Sequence, residues 1–342
     1  MKGRKGRAKT RRQKLNRARI YIEVTDACHL QCRSCTSWTK HGNTFMSLET
    51  FEKILNKSVE EGFKKMQFYW RGESYLHPNL PEMMEMAKNR GMQTFCPTSF
   101  STHYLSDEAY VEKLLRNITR FSFNFDGYDA KSLDKYRVGA DWDLTLKNLE
   151  TVNKIAQRVK PRKVIWLKVL MFRYNELHKQ FFDALPEQYP CLSGVSYVSP
   201  TILGKNVLTR QEADEWLAVN PKYQRYTEID YKLLPEKWVF RGEIVKRIKD
   251  HVWLHKHRPK CSSGVIMISV NGEVGCCSQD TDLKYSLGNI LVDSFQTIID
   301  NHAKYASKMY NRKMDICKTR CLCRQNKNVA AIYALKSVQP VK

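Results

Sequence analysis

An α/β architecture is the fold class this 342-residue sequence predicts: strand–helix units about a parallel sheet, with a small cysteine-rich α+β extension behind them. Three observations predict it. Short apolar runs alternate with amphipathic segments over the first 200 residues, the pattern of strands joined by crossover helices. A hydrophobic content of 42% supplies enough apolar side chain for a large core. After residue 260 the character changes, because six of the eleven cysteines fall there. Periodicity does not separate an open barrel from a doubly wound sheet. In either, chemistry gathers at the carboxyl ends of the strands.

The elements follow in order. Residues 19–25 (RIYIEVT) read as strand one. Ser47 opens a helix that carries Phe51, Ile54, Leu55 and Val59 on one face, and Gly62 ends it. Residues 66–70 (MQFYW) are strand two. Pro81 sits near the start of the next helix, which stops at Gly91. Residues 92–98 are strand three, and Ser106 is expected to cap a helix running through Arg116. Residues 120–125 (RFSFNF) are strand four. A helix over 141–158 shows Trp142, Leu146, Leu149, Val152 and Ile155. Residues 164–172 (VIWLKVLMF) are strand five, apolar enough to predict burial on both faces. A helix around 176–185 and a strand over 194–198 complete the sixth unit. Residues 201–260 are polar and aromatic-rich and read as a linker. Residues 265–270 followed by Asn271-Gly272 suggest a hairpin.

The net charge of +23 belongs to the ends. Residues 1–20 hold ten Lys or Arg and no acid, and residues 301–342 hold ten against Asp315 alone. The body between them is close to balanced. A basic end can hold nucleic acid or another anionic partner without sequence preference, or can be a solvated tail. No window approaches 18 uninterrupted apolar residues, so no membrane span is expected. No apolar segment follows the basic start, so a secretory signal is not expected either. An odd cysteine count in a chain this long points to a reducing, cytoplasmic compartment with thiols available for metal.

Cys28, Cys32 and Cys35 follow strand one, at the end of the sheet where a site is expected. Three thiolates on a four-iron cubane leave one iron open for a substrate or cofactor. The competing reading is a Cys₃His zinc site completed by His29 or His41.

The spacing Cys28-x3-Cys32-x2-Cys35 after a first strand resembles the radical S-adenosylmethionine (SAM) superfamily. Trp70-Arg71-Gly72-Glu73-Ser74 follows strand two, where that family has its GGEP motif. Phe123-Asn124-Phe125-Asp126-Gly127 lies at strand four, where many members read S-x-D-G. Tyr136-Arg137-Val138-Gly139 resembles the R-x-G stretch. The resemblance covers residues 20–200 and implies a partial (β/α)6 barrel. Arg71 departs from the first glycine of the motif and Ser74 from its proline. Ser34 stands where an aromatic is common, and Asn124 replaces the usual serine.

The resemblance implies that a [4Fe–4S] cluster on Cys28, Cys32 and Cys35 binds SAM and cleaves it reductively. A 5′-deoxyadenosyl radical then abstracts a hydrogen atom from the substrate. It assigns Glu73 to the methionine amino group, Arg137 to the carboxylate, and Ser99 and Asn124 to further SAM contacts. It also implies a reductant such as flavodoxin or ferredoxin.

Cys261-x10-Gly272-x4-Cys277, with Leu287-Gly288-Asn289-Ile290 after it, resembles the opening of SPASM and twitch extensions. There are too few cysteines for two further clusters, so one auxiliary [4Fe–4S] cluster is expected on Cys261, Cys277, Cys317 and Cys321. Cys276 and Cys323 are the rival ligands, and Cys96 and Cys191 are expected in the core. The expected domains are a basic disordered arm (1–18), the barrel (19–200), the linker (201–260), the auxiliary-cluster domain (261–330) and a tail (331–342). The substrate stays open between a peptide and a small molecule such as a sugar derivative. Too few residues precede strand one for a peptide-recognition domain. Two alternatives remain at this stage: a radical SAM enzyme modifying nucleic acid or a nucleotide, and a non-catalytic zinc-dependent nucleic-acid-binding protein.

Overall fold

The structure is a computed structural model that describes residues 19–33, 35, 42–198, 200–202, 216, 218–220, 223, 226–227, 265–278 and 280–310. Five strand–helix units and a sixth strand come first. They comprise β1 (Arg19–Ile22), α1 (Leu48–Glu60), β2 (Lys65–Phe68), α2 (Leu80–Asn89), β3 (Gln93–Thr98) and α3 (Glu108–Asn117). Then come β4 (Arg120–Asn124), α4 (Ala130–Tyr136), α5 (Trp142–Arg158), β5 (Val164–Leu170), α6 (Lys179–Gln188) and β6 (Leu192–Val198). The two-residue strands β7 (Thr201–Ile202) and β8 (Tyr226–Thr227) pair with each other. The chain continues through β9 (Val265–Ile268), β10 (Glu273–Gly275), β11 (Ser286–Asn289) and α7 (Phe295–Tyr310).

Strands β1 to β6 are parallel and lie side by side in chain order. A doubly wound sheet reverses its strand order at a switch point. The sequential order therefore settles the ambiguity in favour of an open, partial barrel. The hairpin of β9 and β10 forms as expected, but β9 also pairs in parallel with β1. The sheet thus runs β11-β10-β9-β1-β2-β3-β4-β5-β6 as one nine-stranded unit. Nothing local in the sequence announces a pairing across some 245 residues (Tyr21 with Met267).

Helix boundaries follow their caps. The Ser47 hydroxyl accepts from the Thr50 N–H at the start of α1, and Asp141 does the same for Leu144 at the start of α5. At α3 the cap is Asp107, whose carboxylate accepts from the N–H groups of Ala109 and Tyr110. Ser106, expected in that role, instead donates to Asn148 Oδ1 at 2.6 Å on α5. A tertiary partner removes it from the competition, and its neighbour caps the helix. Helix α4 was not anticipated from the sequence. It begins with a capping box in which Asp129 and Ser132 satisfy each other's backbone N–H groups.

Strand β5 corrects a second expectation. Ile165, Leu167 and Val169 are buried against the helices with Leu149, Val152 and Ile155 of α5. Val164 is 46% exposed and Trp166 36% exposed. The strand is covered on one face only, and the other is the open face of the barrel. Among the described residues, no helix is long and apolar enough to cross a membrane. Cys96 and Cys191 lie in the core as expected. The expected arm, most of the linker and the tail lie outside the described residues.

Candidate active site

The loop after β1 carries Cys28, Cys32 and Cys35, all partly buried and none in a disulfide. Its entry is pinned by an isolated bridge between Thr25 and Phe45 and by the Thr25 hydroxyl, which donates to the Thr44 carbonyl at 2.7 Å. Farther on, the Gln31 N–H donates to the Val138 carbonyl (2.9 Å) and the Arg33 N–H to the Tyr136 carbonyl (3.0 Å). These two bonds bracket Cys32 on one segment and Arg137 on the other. The loop is therefore fastened at both ends, at the far end to the Tyr136–Val138 motif singled out in the sequence.

Glycine 72 joins this loop to the next motif. A Cβ there would lie 2.2 Å from the Thr25 carbonyl oxygen and 2.8 Å from that of Ala27. Only glycine lets the loop after β2 approach so closely. The approach is completed by the Glu73 N–H, which donates to the Ala27 carbonyl at 2.8 Å. Glu73 is buried. Its Oε2 accepts from both the N–H and the hydroxyl of Ser99, each at 2.9 Å. Ser99 thus orients the carboxylate from the end of β3. Phe100 beside it holds a positive φ of 68°. That left-handed turn is held by the Thr98 hydroxyl on the Phe100 N–H and by Asn148, which donates to the Phe100 carbonyl.

At the end of β4, Asp126 is fully buried. Its Oδ1 accepts from the Leu170 N–H at 2.6 Å, and its Oδ2 lies 2.6 Å from Arg137 Nη2. Gly127 makes this pairing reachable, since a Cβ there would sit 2.3 Å from the Leu133 nitrogen. Helix α4 packs directly onto the strand end and returns Arg137 to Asp126. Burial pushes the Asp126 carboxyl up and Arg137 pulls it back. Burial opposes the charge on Arg137, but Asp126, together with Cys32 and Tyr136, offsets it and holds the guanidinium above its ordinary range. The buried Nε of Arg137 has no hydrogen-bond acceptor.

Asn124 lies on the half-buried open face of β4, in register with Lys168 of β5. Burial lowers the pKa of Lys168, with Asp126 partly offsetting it. Trp166 occupies the same open face two residues earlier, its ring over Gly194 of β6.

Burial pushes the Cys28 thiol up to about 12, with the Glu73 carboxylate adding to the effect. Burial likewise raises Cys32, to about 11, against the pull of Arg137. Each of these thiols lies within electrostatic reach of Cys35 and of Glu73. Thiols this difficult to ionise alone become thiolates when a cationic metal takes the proton's place. Among the described residues, no three His, Cys, Asp or Glu side chains converge as a single metal ion requires. A cubane makes no such demand, because each thiolate binds a different iron. The donor set, the orphaned Arg137 Nε and the glycine-dependent loop contact fit a cluster with a further ligand beside it. His29 is described and lies outside any such single-ion group; His41 lies outside the described residues.

The residues not foreseen are Glu23 and Thr281, the partners of Arg71. Arg71 Nε donates to Glu23 Oε1 at 2.7 Å and Nη2 to Oε2 at 2.5 Å. Nη1 donates to the Thr281 carbonyl at 3.2 Å. The Trp70 indole N–H donates to the Ser278 carbonyl at 3.0 Å. The loop after β2 is thereby tied to the turn after β10, which carries Cys276, buried, and Cys277, half-buried. Cys261, Cys317, Cys321 and Cys323 lie outside the described residues, so the rest of the expected auxiliary set has no geometry here. The sequence signals were the acid in an otherwise apolar strand one and the cation in a glycine's place.

Residues 22–174 match the family model described as the radical SAM superfamily. Residues 261–322 match SPASM, an iron–sulfur cluster-binding domain. No curated protein matches the sequence. Among solved structures, the fold is similar to that of anSMEcpe with bound AdoMet, at 14% identity and a TM-score of 0.59 over 93% of this chain and 97% of that one. It is also similar to SuiB of Streptococcus suis bound to S-adenosylmethionine, at 12% identity and a TM-score of 0.53 over 90% and 71%. At these identities the likeness is one of fold.

Proposed function

Since the chain belongs to the radical SAM superfamily and carries a SPASM-type iron–sulfur domain behind its barrel, we propose that it abstracts a hydrogen atom from a substrate held against the open face. When bound, the cluster supplies the electron that splits SAM into methionine and the radical that takes the hydrogen. The protein's part is to hold and orient. Cys28, Cys32 and Cys35 carry the cluster, and Glu73, aimed by Ser99, receives the methionine amino group. Asn124 offers a hydrogen bond toward the ribose. Cys261, Cys277, Cys317 and Cys321 would hold a second, auxiliary cluster, able to accept an electron from the substrate radical or to bind the substrate.

The observation that carries this reading is the convergence of three motifs. Gly72 presses the Glu73 loop onto the backbone of residues 25–27, and the Tyr136–Val138 segment grips the other end of the same cysteine loop. One small region thus holds three thiols, a preorganised carboxylate and a buried guanidinium. For the substrate, the open face offers Trp166 as an apolar wall and Lys168, whose ammonium feels the Asp126 charge but makes no hydrogen bond among the described residues. That chemistry suits a substrate with an apolar portion and an acidic group. An acidic peptide meets it, and anSMEcpe is a relative in fold solved with a bound peptide.

The test is anaerobic. Purified protein should hold about eight irons per chain if there are two four-iron clusters, and about four if only the first is present. With SAM and dithionite it should release 5′-deoxyadenosine, and the Cys32→Ala variant should release none. Full iron with no 5′-deoxyadenosine would overturn the proposed activity.

A further inference from the structure

We propose that Arg137, aimed by Asp126, sets the reduction potential of the cluster on the three-cysteine loop. The inference rests on the reading above, in which that loop carries a cluster. Cys32 and Arg137 are bracketed by the same two backbone bonds, Gln31 to Val138 and Arg33 to Tyr136, so the chain itself brings thiol and guanidinium together. The guanidinium is 93% removed from solvent, and its charge acts on Cys32 with little water to damp it. Asp126 holds it through Nη2, at 2.6 Å, while the buried Nε keeps an unused donor.

Two more charged side chains act on this pair. Lys168 lies on the Asp126 side, and Glu73 acts on Cys32 from the loop after β2. A cation beside a thiolate favours the more negative, reduced state of a cluster, and hydrogen bonds to its sulfurs act in the same direction. Asp126 moderates that effect, because its own charge opposes the guanidinium's. The arrangement therefore works as an adjustable pair, with the cation next to the cluster and the anion one step behind it.

This arrangement predicts shifts of opposite sign. Wild type, Arg137→Gln, Arg137→Lys and Asp126→Asn are reconstituted with iron and sulfide and titrated without SAM, with the reduced cluster followed by electron paramagnetic resonance. Arg137→Gln should favour the oxidised cluster by about tenfold at a fixed potential, a fall of about 59 mV for one electron. Asp126→Asn should move the potential upward, and Arg137→Lys should stay close to wild type. A general packing defect would not move two variants in opposite directions. Should Arg137→Gln fail to assemble, the upward shift in Asp126→Asn carries the test, and its absence overturns the proposal. Equal potentials in fully loaded variants overturn it too, and so does an unchanged potential with a tenfold loss of SAM affinity, which would make Arg137 a receptor for the SAM carboxylate instead. Wild-type protein that takes up no iron on this loop would defeat the underlying reading rather than this inference.

Discussion

Among the described residues, two arginine–carboxylate pairs hold a fully buried acid, one at the end of β1 and β2 and one at the end of β4, and they are built differently. In the first, Arg71 uses Nε, Nη1 and Nη2, two on Glu23 and one on the Thr281 carbonyl, while Glu23 Oε2 also accepts from the Val270 N–H at 3.2 Å. In the second, Arg137 meets Asp126 through one nitrogen and its Nε is left over. A saturated buried pair is a fastening, since its desolvation is compensated from within the protein. An unsaturated one is waiting for something the protein does not supply. Both arginines sit in motifs of the proposed SAM site, yet of the two only Arg137 has chemistry to spare.

The sharpest way to separate fastening from function lies between the two pairs. Gly72→Ala should have the largest effect, because its Cβ would meet the Thr25 carbonyl at 2.2 Å and force the cysteine loop away. Iron content after reconstitution should fall to background while the far-ultraviolet circular dichroism is kept; retention of full iron would refute the proposed packing. Next comes Arg71→Ala, which leaves the fully buried Glu23 carboxylate without its guanidinium. It should cost about 3–5 kcal/mol in urea unfolding, and a loss under 1 kcal/mol would mean that the pair is not a fastening.

Ser99→Ala comes third. It removes one hydrogen bond to the Glu73 carboxylate, worth about 1.5–3 kcal/mol, and should weaken SAM binding by about tenfold or more in calorimetric titration. Unchanged affinity would release Glu73 from its assigned role. Smallest is Lys168→Met, tested through pH. Burial lowers the folded-state pKa of Lys168 below its unfolded value. Its charge therefore destabilises the fold below the folded pKa, and the penalty disappears as pH rises past the ordinary lysine value. The variant should be more stable than wild type at neutral pH, with the gap narrowing as pH rises. A gap that widens with pH would reverse the assignment.

The contrast also marks what a sequence can disclose. The strands β1 to β6 and the spacing of Cys28, Cys32, Cys35 and Glu73 were legible because each rests on local periodicity or short spacing, whereas periodicity left the order of the strands open. The partner of Arg71 was not, because Glu23 and Thr281 are brought to it by sheet pairing across long separations. Asp126 stood in plain view within its motif, but its link to Arg137 depends on α4, a seven-residue helix whose apolar pattern is too short to register. Strand five misled for a related reason: Trp166 and Val164 are as apolar as their neighbours, and only the missing layer of helices on the open face exposes them.

The parallel pairing of β9 with β1 has a practical consequence for anyone dissecting the protein. A fragment stopped near residue 200 would strip β1 of a hydrogen-bonded neighbour, leaving a bare edge of the kind that recruits other chains. It would also take from Glu23 the amide of Val270. The two halves should therefore be purified together or not at all, and a swap of C-terminal halves between relatives must carry its own β1 with it.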